Sequence, residues 1–435
     1  MTAPPTGASR GLPDLLGELE WRGLVHATSA GLAERLATGR PISAYNGFDP
    51  TAASLHVGHL VPLFGLVRLQ RHGVKPYALV GGATGMVGDP SGRSAERVLL
   101  DRATVDANAA AIRDQMARFL DFDDGPVQAV MANNLDWLGS VGLLDFLRDI
   151  GKHFTIPYML AKDSVQVRLQ AGLSFTEFSY MLLQSADFLH LYRELGVELQ
   201  AGGADQWGNI TAGIELIRRT TSGDAADPAH GLSYPLLLSP SGSKFGKSET
   251  GESVWLDPIL TSPYRFYQYW VDADDSDVGL YLRWFTLLER DRIEELAAET
   301  AARPEARAAQ RALAHDLTER LHGSEAAAEV ERVSEILFGG DPIHADAATL
   351  AAVAGEIPTA AWPGEGPHGA VAIAVASGAA SSNGEARRLI AQGGLTVNGR
   401  AVRDPDATYA DGDLLAGRFL LVRRGKRDYR MLVRA

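Results

Sequence analysis

The feature that most constrains the fold is a unit that recurs four times in the first half of the chain. A short apolar run ends in a break, usually glycines with an acid, and a helical pattern follows. Pro41 to Phe48 leads into YNGFDPTAASLHVGHL, residues 45–60, and Pro76 to Val80 into GGATGMVGDPSG. Val127 to Met131 is followed by Asn133, Asn134 and Trp137, and Val197 to Leu199 by QAGGADQWGN. Parallel strands need a long crossover, which a helix normally supplies, so this alternation predicts an open α/β sheet covered on both faces. The expected fold is a Rossmann-like, doubly wound parallel sheet. Ligands of such sheets collect at the carboxyl ends of the strands, where the glycines of this chain lie.

The first of these turns carries the most chemistry. Gly47, Asp49 and Pro50 break the strand, Thr51 and Ser54 are placed to cap a helix, and His56 and His59 lie three residues apart on one helix face. Gly58 between them admits a ligand close to the backbone. A helix N-terminus carries partial positive charge and unpaired N–H groups, so the natural guest is a phosphate. Two core-packed histidines are the competing explanation. A zinc site is disfavoured, because zinc-binding helices of the HExxH kind space their histidines by four with a glutamate between. Pro62, two residues into the helix pattern, is tolerated near a first turn.

Further candidates follow in order. Asp89 sits in the second glycine loop, and Gly203, Asp205 and Gln206 in the last. The run SFTEFSYMLLQSADFLHLYRELG reads as a long helix capped by Thr176, on which Tyr180, Gln184 and Asp187 form one polar stripe. Polar groups flanked by Met181, Leu182, Leu183 and Phe188 suit the lining of a pocket. Ser140 reads as the cap of the helix before it. Beyond Leu232 to Leu238, SPSGSKFGKSETG presents Lys244 and Lys247 three apart, then Ser248. GSKFGKS has three residues between its glycines where a P-loop needs four, and GASRG at 7–11 has no strand before it; both look-alikes are set aside. Histidine pair, glycine loops and lysine loop together describe a nucleotide site. The chemistry they suit is adenylyl transfer by positioning and charge stabilisation, with no covalent enzyme intermediate.

The remainder of the chain sets the context. Its 435 residues contain no cysteine, which removes disulfides, thiolate metal sites and cysteine nucleophiles. No apolar run could span a bilayer and the N-terminus lacks a signal-peptide core, so a cytoplasmic protein is expected, without a membrane partner. The net charge is −13, yet residues 387–435 hold ten Arg and one Lys against five Asp, a net of +6 that leaves −19 on residues 1–386. A basic end on an acidic body is what a chain shows if its tail alone meets a polyanion. The expected domains are 1–234, the Rossmann-like catalytic part; 235–262, the KFGKS loop and connection; 263–340, an α-helical domain; 341–369, a Pro, Gly and Ala rich linker region with room for one short helix; and 370–435, a compact α+β domain.

With these residues assembled, the sequence resembles the class I aminoacyl-tRNA synthetases, and within them the bacterial-type tyrosyl-tRNA synthetase family. HVGH resembles the HIGH motif and KFGKS the KMSKS motif, while YNGFDPTA, GGATGMVGDPSG, SFTEFSYMLLQSADF and GGADQWGNI match in order over nearly the whole chain. The basic tail, with SNGEARRLIAQGGLTVNGRAV, resembles an S4-type RNA-binding domain. The resemblance implies activation of L-tyrosine by ATP with Mg2+, then transfer to tRNA(Tyr). Tyr45, Asp89, Tyr180, Gln184 and Asp187 would hold tyrosine, with Asp187 meeting its hydroxyl. Gly47, Asp49, Gly58, Gly203, Asp205, Gln206 and Ser248 would hold the nucleotide. Thr51, His56, His59, Lys244 and Lys247 would act on the triphosphate, and Arg387 and Arg388 would meet tRNA. Segment 263–340 would be the anticodon-side domain. A homodimer with Phe175 near its interface is implied as well. Two rival readings are a nucleotidyltransferase with an HxGH motif acting on another small acid, which leaves the basic tail unexplained, and tryptophanyl-tRNA synthetase, from which the Asp187 stripe and the tail separate the chain.

Overall fold

Strand order in the central sheet decides where a ligand can sit. The computed structural model describes residues 11–89, 91, 101–169, 172–221, 228–237, 245–246 and 252–434. These form two compact units, Met1–Thr261 with Tyr269–Leu321, and Ser262–Gln268 with His322–Ala435. In the first unit, β1 (Ala27–Thr28), β2 (Ile42–Phe48), β3 (Val74–Val80), β4 (Val130–Asn133), β5 (Leu199–Gly203) and β6 (His230–Tyr234) lie in the order β1-β6-β5-β2-β3-β4. All neighbouring pairs from β6 to β4 are parallel, with Tyr45 of β2 beside Tyr77 of β3 and Gln200 of β5. The chain winds outward from β2 to β4, then returns to β5 on the other side of β2. That reversal opens a crevice at the carboxyl ends of β2 and β5.

The expected doubly wound sheet is therefore present, with two additions. His230–Tyr234 supplies a fifth parallel strand, and Ala27–Thr28 adds an antiparallel edge inside the stretch 12–40, where Leu15, Leu16, Leu19, Leu24, Leu32 and Leu36 recur at a loosely helical spacing that predicts helix throughout. Only Leu15–Arg22 and Leu32–Ala37 are α-helical there, because Gly23 and Gly31 take left-handed conformations and break the run. Strands β2 and β3 are buried along nearly their whole length, which explains their unbroken apolar character. The helices Phe175–Leu195 and Trp207–Thr220 cover one face through Phe188, Leu189, Leu216 and Ile217.

Two buried arginines, Arg68 of the helix that follows HVGH, Leu60–Arg71, and Arg22 of the helix Leu15–Arg22, hold these helices to the end of the helix Asp275–Phe285. Arg68 donates to the carbonyls of Arg283 and Thr286 at 2.8 Å each, and Arg22 to those of Arg283 at 2.9 Å and Leu288 at 2.8 Å. The carbonyls ending a helix have no partners within it and carry negative partial charge, so guanidinium groups suit them.

In the second unit, β7 (Thr359–Ala361), β8 (His368–Gly369), β9 (Leu395–Val397), β10 (Arg400–Ala401), β11 (Thr408–Tyr409), β12 (Phe419–Arg424) and β13 (Asp428–Val433) form a five-stranded sheet, β10-β9-β12-β13-β7, and a small pair, β11-β8. The stretch 341–369, expected as a linker, is folded. Asp346 caps the helix Ala347–Glu356 by accepting the Thr349 N–H at 2.7 Å, and Leu350 and Val353 are fully buried against Leu421 and Met431. After that helix the chain forms β7, parallel to β13. Small alanines read as linker composition, but an apolar pair spaced by three is enough for one buried helix face. Residues 263–338 are helical as expected, and those helices are shared between the two units.

Candidate active site

Fourteen of the candidate residues line one cavity of about 450 Å3 at the carboxyl ends of β2, β3 and β5: Tyr45, Gly47, Asp49, Thr51, His56, Gly58, His59, Asp89, Tyr180, Gln184, Asp187, Gly203, Asp205 and Gln206. Lys244, Lys247 and Ser248 lie outside the described residues. Arg387 and Arg388 are exposed on the helix Asn383–Ala391 of the second unit.

The histidine turn is built differently from the expected cap arrangement. Neither Thr51 nor Ser54 caps it; the Ser54 hydroxyl donates to the Leu55 carbonyl at 2.7 Å and accepts the Asp257 N–H at 3.1 Å. His56 is the cap of a short 3-10 turn, Val57–His59, ahead of the helix. Its Nδ1 accepts the Gly58 N–H at 3.0 Å, and the His59 Nδ1 accepts the His56 N–H at 3.1 Å. An acceptor nitrogen cannot carry the proton, so both neutral rings are Nε2–H tautomers, able to donate to a phosphate. The rings stand 4.0 Å apart. Gly58 serves this folding directly, since a Cβ there would stand 2.7 Å from the His56 ring.

Glycines of the next loop serve side-chain approach. A Cβ on Gly81 would collide with the side chains of Asp49 and Thr84, which are themselves bonded, Thr84 hydroxyl to Asp49 carboxylate, at 3.1 Å. Asp89 accepts from Gln206 Nε2 at 2.6 Å and from the Ser91 N–H at 2.9 Å, while Asn209 donates to Gln206 Oε1 at 3.2 Å. Two loops distant in sequence are thus joined. Asp205 has its pKa raised, by burial first and by the neighbouring Asp89 second.

The polar stripe lines the same cavity through Tyr180, Gln184 and Asp187. Its helix is capped by Ser174, which accepts the Glu177 N–H at 3.2 Å, not by Thr176. Likewise the helix Leu143–Asp149 has Gly142 at its cap position, and Ser140 donates instead to the Trp137 carbonyl. Asp187 is 1% exposed and accepts from Asn134 Nδ2 at 2.8 Å and Trp137 Nε1 at 2.7 Å. Burial pushes its carboxyl up to about 7, against the pull of those two donors. Trp137 in turn stacks on His190, with centroids 4.4 Å apart. Tyr45, packed on Phe188, is also 1% exposed, and its hydroxyl has no hydrogen-bond partner among the described residues. Burial, then Asp187, pushes the Tyr45 phenol well up. The pair is set to receive one donor-acceptor group of a ligand.

Asn134, Trp137 and Gln200 are among the residues that sequence reasoning did not assign to the site. Gln200 lines the same cavity, and its buried Oε1 has no partner among the described residues. A polar residue inside an apolar strand was the available signal.

Comparison with known proteins gives consistent results. A family profile described as "tRNA synthetases class I (W and Y)" matches residues 37–339, and one described as "Tyrosine--tRNA ligase SYY-like C-terminal domain" matches 349–432. A tyrosine–tRNA ligase of Anaeromyxobacter dehalogenans is 51% identical over 425 residues, 97% of this chain and 99% of that one. That of Geobacillus stearothermophilus is 48% identical over 421 residues, 96% of this chain and 99% of that one. Among solved structures, a C-terminally truncated mitochondrial tyrosyl-tRNA synthetase of Aspergillus nidulans superposes with TM-score 0.67 at 32% identity, covering 74% of this chain and 94% of that one.

Proposed function

The chain belongs to the class I tyrosyl-tRNA synthetase family, and from that premise we propose how its residues divide the work of a tyrosine–tRNA ligase. As an aminoacyl-tRNA synthetase it takes ATP, tyrosine and tRNA as reactants. The near-full-length relatives are tyrosine enzymes, which removes the tryptophan and small-acid alternatives.

Tyrosine enters with its ring between β2 and the helix Phe175–Leu195. Its phenolic O–H donates to Asp187, whose two oxygens have acceptor capacity beyond Asn134 and Trp137, and the Tyr45 hydroxyl donates to the phenol oxygen. Phenylalanine would leave the Tyr45 hydroxyl unpaired and the remaining acceptor capacity of Asp187 unused, and the tyrosine enzymes as a family are the standard illustration of how costly that is. Tyr180, Gln184 and Asp89 take the α-ammonium end.

The tyrosine carboxylate attacks the α-phosphorus of ATP, the bond to the β-phosphate oxygen breaks, and pyrophosphate leaves. Nε2–H donors of His56 and His59, with Thr51, stabilise negative charge as it grows on the phosphates, and Lys244 and Lys247 do so from the other side. Gly47, Asp49, Gly58, Gly203, Asp205, Gln206 and Ser248 hold the nucleotide. Magnesium bound to ATP fits the oxygen donors Asp49 and Asp205 in chemical type and would neutralise phosphate charge. A ribose hydroxyl of the tRNA 3′-terminal adenosine then attacks the tyrosyl carbonyl and AMP departs. Arg387 and Arg388, exposed on one helix of the second unit, contact the tRNA backbone.

A second copy of the chain completes the assembly. The support is an apolar surface: Leu143, 72% exposed, and Phe175, 78%, line a hollow of about 490 Å3 with Phe146, Met159 and Leu182, and the neighbouring Leu144 is 80% exposed.

The Tyr45 hydroxyl beside Asp187, unpartnered among the described residues and lining the same cavity as the histidine pair, is the observation that carries this reading. The test is pyrophosphate exchange into ATP. Exchange should be strong with tyrosine and far weaker with phenylalanine; equal exchange with both, or none with tyrosine, overturns it.

A further inference from the structure

The stretch SPSGSKFGKSETG is polar but for one large apolar residue, Phe245, between the two lysines. Its ring has a built socket. It stacks on Phe285 with centroids 5.6 Å apart and planes 11° apart, and meets Tyr281 at 5.5 Å, Trp270 at 6.0 Å and Tyr269 at 6.1 Å. Trp270 and Phe285 are fully buried. Aromatic rings at such separations attract beyond their simple burial.

The next residue is held by polar contacts. Gly246 is at φ 99°, a conformation that favours glycine. The Tyr269 hydroxyl lies against its backbone, and its carbonyl accepts the Val254 N–H at 3.0 Å. The Val254 carbonyl accepts the Val57 N–H at 3.0 Å, inside HVGH. A Cβ on Gly246 would lie 3.4 Å from the Gly58 nitrogen and 3.7 Å from His56 Nδ1, so this glycine is seated directly on the histidine turn.

Nothing in the adenylation chemistry requires an aromatic ring here, yet four aromatic side chains and a hydroxyl converge on two residues. We propose that Phe245 and Tyr269 are positioning residues for tyrosine activation: the aromatic socket and the Tyr269 hydroxyl register Phe245–Gly246 against HVGH, and thereby set the distance from His56 and His59 at which the adjoining lysines act on the triphosphate. The inference rests on the lysine roles proposed above. A lysine placed one ångström wrong loses much of its transition-state stabilisation while ground-state binding at the tyrosine end is untouched.

The test measures three quantities in the full-length protein: the single-turnover rate of tyrosyl-adenylate formation, the tyrosine dissociation constant without ATP, and transfer to tRNA from adenylate formed beforehand. Phe245→Ala should slow adenylate formation at least about tenfold and leave the other two within about twofold. Tyr269→Phe, which keeps the socket but removes the hydroxyl beside Gly246, should slow the same step about threefold to tenfold, and Phe245→Met, apolar and similar in length, should restore much of the rate. Adenylate formation within about twofold of the parent in Phe245→Ala overturns the proposal, as does a parallel loss in all three quantities. If the unaltered protein fails to form adenylate with tyrosine, the functional reading fails; if it succeeds and only the variants are indifferent, this inference alone fails.

Discussion

Asp187 concentrates the tension between stability and function in one side chain. Its carboxyl is pushed from an ordinary 3.8 up to about 7, chiefly by burial. Below pH 4 the folded and unfolded chains both hold this proton. Between pH 4 and 7 the unfolded chain releases it while the folded chain keeps it, so the group lowers stability as pH rises, by roughly 4 kcal/mol in all. Asp187→Asn cannot ionise, so its melting temperature relative to the parent should climb from pH 5 to pH 8; a difference independent of pH would show the carboxyl is not so perturbed. Trp137 is the neighbouring lever. Trp137→Phe preserves a ring against His190 but removes the donor to Asp187. Exchange assays should then show the KM for tyrosine rising roughly tenfold with that for phenylalanine little changed, as befits one hydrogen bond to a charged group. Asp187 was legible in the sequence as part of a polar stripe. Its partners Asn134 and Trp137 were not, because contact with residue 187 across fifty positions leaves no local pattern.

At the scale of elements, helix ends test how well local signals can be read. Ser174 and Thr176 are both plausible caps by residue type, and the structure uses Ser174. Ser174→Ala should cost about 1 kcal/mol in denaturant unfolding and Thr176→Ala much less; the reverse order would reassign the helix start. The histidine turn teaches a similar lesson. Capping there passes from the expected hydroxyls to His56, because Ser54 is engaged by Asp257 from another segment. Period and composition identify an element, whereas its first residue depends on which backbone donors the fold leaves unpaired.

The whole molecule adds the division of labour between its two units. Ending the chain after Leu321 should leave tyrosine-dependent exchange within about threefold of the parent and reduce tRNA charging at least about tenfold, since phosphate contacts dominate RNA affinity; unchanged charging would show the second unit is dispensable. Ending it near residue 365 should instead give an aggregating protein, because Leu350 and Val353 would lose Leu421 and Met431. Phe175→Asp with Leu144→Asp should shift sedimentation from dimer to monomer, and no shift would locate the assembly surface elsewhere. By itself the sequence determined the strand–turn–helix order, the polar stripe, the basic tail and fourteen of the residues that line the cavity, because each is written in periodicity, glycine placement, motif or charge over a short window. Only the tertiary structure decided that β5 returns beside β2, that Asn134 and Trp137 grip Asp187, that residues 347–361 form a packed helix and a strand and not a linker, and that an aromatic socket meets Phe245. Those outcomes depend on contacts between distant segments, and their energy belongs to the packed pair, where no single stretch of sequence records it.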